Sequence, residues 1–182
     1  MSEETIVRQA APTLAGIKTG SMFPYRFESR EELLSDIRAF NRLFVPRGMC
    51  LLLLRVMEKS ALLYLYRPQR LEEDLKDSTS QELLQESGYA CFSCAACVRH
   101  LVERFHSGLD FPHEVGLFLS YPPADVKGFI HDRENYKACG LWKVYADEEG
   151  AQKLCEQFQK CSECYCRQWE SGVGLEKLAV AV

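Results

Sequence analysis

Three cysteines, Cys91, Cys94 and Cys97, stand three residues apart in "GYACFSCAACVRH" (88–100), and Cys161, Cys164 and Cys166 crowd "CSECYC". Thiolates at this spacing ligate iron–sulfur clusters and zinc. The first run supplies three of the four ligands of a ferredoxin-type run and no local fourth. A metal site would therefore join Cys91, Cys94 and Cys97 to a remote ligand such as Cys164. Packing is the competing reading. Cys94 and Cys97 fall in step with Val98, Leu101, Val102 and Phe105, a three-four alternation continuing to Gly108, and free cysteine is among the most buried residue types. Thiol chemistry is a third use. Cys139 has His131 nearby in sequence, and Lys137 and Lys143 as the positive neighbours that a low thiol pKa requires.

Polar residues gather elsewhere, in "FPHEVGLFLSYPPADVKGFIHDRENYKACGLWKVY" (111–145). His113, Glu114, Tyr121, Asp125, Lys127, Asn135, Cys139 and Lys143 lie there between two expected strands. A helix expected at 123–131 starts where a strand ends, a common location for ligand sites in sheets. The loop Pro12–Lys18 would close the same pocket with Thr13 and Lys18. Lys18, Lys127 and Lys143 would then supply positive charge for an anion. If His113 and Glu114 share a strand they point to opposite faces, so they are not by themselves a catalytic pair. "AGIK" is too short for a phosphate-binding loop.

The elements that must position these residues follow from pattern. "SREELLSDIRAFNRLF" opens on Ser29 with Glu32 three residues on and carries the stripe Leu33, Ile37, Phe40 and Phe44, which predicts a capped helix ending before Pro46. "MCLLLLRV" is a near-continuous apolar run, as in a strand covered on both faces, and a short turn leads to "ALLYLYR", an antiparallel partner. "RLEEDLKD" and "TSQELLQESG" predict short helices, the second capped by Thr79. Asp147 caps a long helix carrying Leu154, Phe158, Cys161, Tyr165 and Trp169 on one face. The fold expected is α+β: a single domain, 1–182, with a mixed sheet of about five strands (49–56, 61–67, 113–120, 141–146 and 175–181) and helices packed on it. Residues 1–28, with the Pro- and Gly-containing "APTLAGIKTGSMF", read as a loop packed on that body.

Composition sets the outer limits. The 182 residues carry a net charge of −4, with 47% hydrophobic and 26% charged residues, ordinary for a globular protein. Acidic and basic residues interleave, so neither a nucleic-acid partner nor an anionic membrane surface is expected. The longest apolar run is far below the roughly 20 residues of a membrane span. The acidic N-terminus is unlike a secretory signal, and the chain reads as cytoplasmic. Nine cysteines in a reducing compartment point away from disulfides.

"APTLAGIKTGSMF", "FPHEVGLFLSYPPADVKGFI" and "NYKACGLWKVY", together with the closing "LAVAV", resemble a bacterial family of proteins of unknown function, number 3793, from anaerobic Gram-positive bacteria. The resemblance spans nearly the whole chain and implies no established activity. It places weight on Ala11–Lys18, Phe111–Phe129 and Asn135–Tyr145, and leaves the cysteine run at 91–97 outside the family pattern. Members often carry cysteine where this chain has Ala10, which argues against a shared thiol mechanism there. Two functions remain open. One is a binding module for a small anionic metabolite or a nucleotide, with no cofactor. The other is a metal- or thiol-dependent redox protein, with an iron–sulfur cluster or zinc on the cysteine clusters.

Overall fold

The first 28 residues form regular structure. In the computed structural model, which describes residues 1–107 and 110–181, helix α1 spans Glu3–Leu14 and strand β1 spans Gly20–Arg26. This corrects the expected N-terminal loop. Ser2 caps α1 by accepting from the Thr5 amide, and Ile6, Val7, Ala10, Ala11 and Leu14 form a buried helical face. Pro12 is accommodated by a kink at Ala10 (φ −133°, ψ 17°). Pro24 is exposed in β1, an edge strand, a setting where proline need cost a sheet no ladder bond. The density of proline and glycine suggests a loop; the buried stripe beneath it decides the fold.

Helix α2 (Arg30–Phe44) is capped by Ser29 as expected and buries Leu33, Ile37, Phe40 and Phe44. Strands β2 (Cys50–Val56) and β3 (Ser60–Tyr66) form the expected hairpin, and β1 pairs with the other side of β3. The sheet is three-stranded and antiparallel throughout, in the order β1-β3-β2. Both faces are covered. Phe23, Leu51, Ala61, Leu63 and Leu65 pack toward α1 and α2. Leu54, Tyr64 and Tyr66 pack toward α3 (Pro68–Asp74), α4 (Ser78–Glu86) and α5 (Cys94–Ser107). Each fully buried large side chain contributes about 2 kcal/mol, so these two layers hold the body together. Asp77, not Thr79, caps α4, which begins earlier than the pattern indicated. Gly108, read as the stop of the cysteine helix, lies outside the described residues.

The other three expected strands are corrected. Residues 113–120 hold the short helix α6 (Val115–Phe118), entirely buried, followed by α7 (Pro123–His131). A short apolar run is ambiguous between buried strand and buried helix; here Gly116 settles it, because an added Cβ would lie 2.8 Å from Val126, so α6 and α7 pack at glycine distance. Of 141–146 only Lys143–Val144 (β5) is strand, paired with Ala138–Cys139 (β4) in a separate two-stranded ladder. After the long helix α8 (Glu148–Glu170), residues Leu175–Leu178 form helix α9, with Leu175 and Leu178 buried three apart.

Arg67 locks these pieces. It is buried (1% exposed) at the end of β3. Its Nε donates to the Thr13 carbonyl at 2.6 Å, and its Nη2 donates to the carbonyls of Leu14 and Val180, each at 2.7 Å. A cation on the last carbonyls of α1 also opposes the negative end of the helix dipole. No helix among the described residues is long and apolar enough to cross a membrane.

Candidate functional site

Local chemistry makes "YPPADVKGF" a docking platform. Pro122 and Pro123 start α7, where missing amide protons cost nothing. That puts Asp125, only 2% exposed, in the first turn. Its Oδ2 accepts from the Trp142 indole Nε1 at 2.8 Å, and its Oδ1 accepts from the amides of Tyr145 and Ala146 at 2.7 and 3.0 Å. One carboxylate thus fastens the arm carrying β4 and β5 to α7. Gly128 completes the dock: an added Cβ would lie 2.3 Å from Cγ of Tyr145. Gly128→Ala is therefore expected to destabilise by about 1–3 kcal/mol despite alanine's better helix propensity, measured as a lower urea midpoint.

Between α6, α7 and this arm lies a cleft of about 370 Å³. Its walls are apolar and aromatic, among them Phe111, Leu119, Tyr121, Phe129, Leu141 and Trp142. Tyr121 stacks on Trp142 with centroids 4.9 Å apart. The polar residues that line it are His113, Asp125 and Lys143. His113 sits between Phe111 and Phe129, at 5.5 and 5.1 Å. Its Nε2 lies 2.7 Å from Nη2 of Arg133. A guanidinium can only donate, so Nε2 accepts and the neutral ring carries its proton on Nδ1. Burial, then the Arg133 charge, lowers the His113 pKa, which keeps this tautomer at neutral pH. Lys143 Nζ donates to the Arg133 carbonyl at 3.1 Å and lies 4.3 Å above the Tyr136 ring.

A second cleft, about 490 Å³, lies next to the first and shares Tyr121 with it. It gathers Ile17 from the loop after α1, Ser120 and Pro122, and Leu154 and Phe158 from α8, with Arg70, Asp74 and Asp77 also in its lining. Ser120 has a left-handed backbone (φ 60°), and its Oγ accepts from the Thr19 amide at 2.7 Å. The Thr19 hydroxyl in turn donates to Asp74. Asp74 is pushed up by burial. Lys18 is half-buried, its Nζ 5.8 Å from the Tyr121 ring centroid and 5.5 Å from that of Phe158.

The ten candidate ligand-binding residues divide accordingly. His113, Tyr121, Asp125 and Lys143 line the first cleft, although Asp125 is committed to structure. Lys18 does not join His113 and Lys143; it sits against Tyr121 beside the second cleft. The expected convergence of Lys18, Lys127 and Lys143 is not formed. Lys127 pairs with Glu82 on the surface at 3.3 Å. Thr13 is fully buried, 2.9 Å from the Ser21 hydroxyl. Glu114 is buried against Arg104 at 2.9 Å and accepts from the Tyr89 hydroxyl at 3.1 Å. Asn135 bonds Asp132 in an exposed turn, and Cys139 is exposed on β4. Arg133 and the walls Phe111, Phe129, Leu141 and Trp142 are the residues sequence reasoning missed. Their one signal was the aromatic density of 111–145, which reads equally as core.

The cysteine clusters stay apart. Cys94 and Cys97 pack into the layer under α5, on one face of the sheet, while Cys161, Cys164 and Cys166 ride on α8, whose Tyr165 and Trp169 pack into the layer on the other face. Burial raises Cys94 to about 12, and Cys97 and Cys161 to about 11, so these thiols stay protonated. The Cys97 thiol donates to the Cys91 carbonyl at 3.3 Å. Among the described residues no three His, Cys, Asp or Glu side chains converge as a metal site.

No curated protein and no solved structure matches the chain. A family model described as "Protein of unknown function (DUF3793)" matches residues 6–179, a span that takes in the sheet, both helical layers and both clefts. The chain therefore belongs to the DUF3793 family.

Proposed function

We propose that the chain is a binding module for a small anionic metabolite with a flat apolar body, held in the cleft of His113, Trp142 and Lys143. The observation that carries this is an apolar, aromatic-walled cleft in which His113 and Lys143 are the polar residues with donors to spare, the carboxylate of Asp125 being occupied by its own three donors. Ligand sites combine such walls with a few placed polar groups. The Tyr121–Trp142 stack offers a face for a ring. Lys143 Nζ spends one donor on the Arg133 carbonyl and keeps the rest, and the Nδ1 proton of His113 has no partner among the described residues. Neither Lys143 nor Arg133 is ion-paired among the described residues, and both oxygens of Asp125 are taken. This balance favours an anion over a cation. Two donor groups suit one carboxylate better than a nucleotide's phosphate chain, which calls for more cationic and backbone donors.

The test is saturation-transfer NMR with 3-phenylpropionate and its neutral amide as probes. The carboxylate is expected to bind more tightly than the amide. Lys143→Met is expected to weaken it about tenfold, the loss of one charge-assisted hydrogen bond. Equal binding of acid and amide, or an unchanged affinity in the variant, contradicts the anion assignment.

A further inference from the structure

Beside the second cleft stands a group that this reading does not use. Lys18 extends from the loop after α1, whose turn is fixed by the Ile17 and Lys18 amides both donating to the Pro12 carbonyl, at 3.0 and 3.1 Å. Its Nζ then lies over the rings of Tyr121 and Phe158, and both rings line the cleft. Among the described residues the amine has neither a hydrogen-bond acceptor nor an ion-pair partner. Lys76, Lys127, Lys153 and Lys160, by contrast, pair with carboxylates on the surface.

We propose that Lys18 is a nucleophilic amine that forms an imine with a small aldehyde or ketone entering the cleft of Ile17, Tyr121 and Phe158. In the step, the Nζ lone pair forms a bond to the carbonyl carbon as the C=O π bond breaks. The two protons of the neutral amine and the carbonyl oxygen then leave as water, and a C=N bond remains. Nothing is oxidised or reduced. The cleft has two sides: Ile17, Leu117, Leu154 and Pro122 give an apolar wall for the body of a carbonyl compound, and Arg70, Glu73, Asp74 and Asp77 line the rest, which suits a small polar carbonyl rather than a wholly apolar one. A desolvated lysine in an apolar pocket is a recognised way to make an amine nucleophilic at neutral pH.

Electrostatics agree with the geometry. Burial lowers the Lys18 pKa to about 8, opposed by Cys155 on α8. The Tyr121 ring stands beside it, and Arg70, Glu73, Asp74 and Asp77 line the same cleft; burial raises Tyr121, so Tyr121 stays neutral where Lys18 titrates. At pH 7.5 such an amine holds on the order of a hundred times more free base than an ordinary lysine. Its lower basicity offsets much of that, leaving a rate advantage of about tenfold.

The test uses the full chain with butyraldehyde and sodium cyanoborohydride, which reduces the imine to a stable secondary amine. Peptide mass mapping then reads the rate at each of the nine lysines. Lys18 is expected to be alkylated about tenfold faster than the mean of the other eight at pH 7.5, with a rate that levels off above pH 8. In Lys18→Arg the fast phase should vanish while the slow labelling persists. Labelling of Lys18 at or below the mean of the other eight overturns the proposal. So does a fast phase that survives in Lys18→Arg. The wild-type mapping decides the matter even if the variant folds poorly, and neither arm depends on what the neighbouring cleft binds.

Discussion

Asp125→Asn is expected to free the arm at 138–146 from α7, at a cost of about 3 kcal/mol. The carboxylate accepts three N–H donors, two on Oδ1 and the Trp142 indole on Oδ2. An asparagine keeps one acceptor oxygen and turns an NH2 toward a donor that has no alternative. Whichever way the amide lies, at least one buried N–H loses its partner, and the bonds that survive lose the assistance of charge. Because Trp142, Val144 and Ala151 form a small apolar cluster of their own, the loss should be local before it is global. Hydrogen exchange read by mass spectrometry should show faster exchange at Tyr145 and Ala146 with protection in β2 and β3 unchanged. Wild-type protection at those two amides in the variant would contradict the clamp.

Arg67→Leu should act on the whole fold and cost about 3–5 kcal/mol. The substitution preserves apolar contact but leaves the buried carbonyls of Thr13, Leu14 and Val180 without their donors. Removing one partner of a buried polar set leaves the rest desolvated and unsatisfied, and this asymmetry makes the loss large. This guanidinium joins the end of α1, the end of β3 and the residues after α9, which otherwise share the Val180–Leu14 and Arg67–Thr19 backbone bonds at 3.0 and 2.9 Å and one apolar layer. Arg67→Lys keeps the charge but cannot fork to all three carbonyls, so it should fall between. Urea unfolding monitored by circular dichroism checks the ranking; Arg67→Leu as stable as wild type would remove the lock from the account.

What could be read from residues and what could not follows one physical line. The α2 stripe, the β2–β3 hairpin, the Ser29 and Asp147 caps and the span of α7 were legible because each depends on neighbours in sequence. The near-continuous apolar run in "MCLLLLRV" correctly implied a strand covered on both faces. "HEVGLFLS" was not legible, because its buried run fits two periods and Gly116 matters only once Val126 lies against it. "LEKLAVAV" was misread as strand although Leu175 and Leu178 stand three apart with Glu176 and Lys177 between them, a spacing already helical. Within the segment 111–145, four of the candidate residues line one cleft, His113, Tyr121, Asp125 and Lys143, while Glu114, Lys127 and Asn135 have structural or surface partners. Asp125 and Glu114 look like chemistry in one dimension, whereas in three they are buried acceptors, Asp125 holding three N–H donors and Glu114 held by Tyr89 and Arg104. Trp142 and Phe129 look like core, yet they line a cleft. Lys18 and Lys143 carry the same charge in the sequence; only the fold shows that Lys143 lines one cleft, that Lys18 stands beside another, and that Tyr121 is a wall common to the two.

The central claim is that the cleft of His113, Trp142 and Lys143 receives a small anionic ligand with a flat apolar body. The chain has two tryptophans, and they stand in different layers. Trp142 lines the cleft, and Trp169 packs against the core between the sheet, α1 and α2. A ¹H–¹⁵N spectrum therefore offers two indole signals as site and control. Titration with 3-phenylpropionate should shift the Trp142 indole progressively and leave the Trp169 indole in place. A Trp142 indole that does not move at saturating carboxylate, or one that moves no more than that of Trp169, would contradict the account.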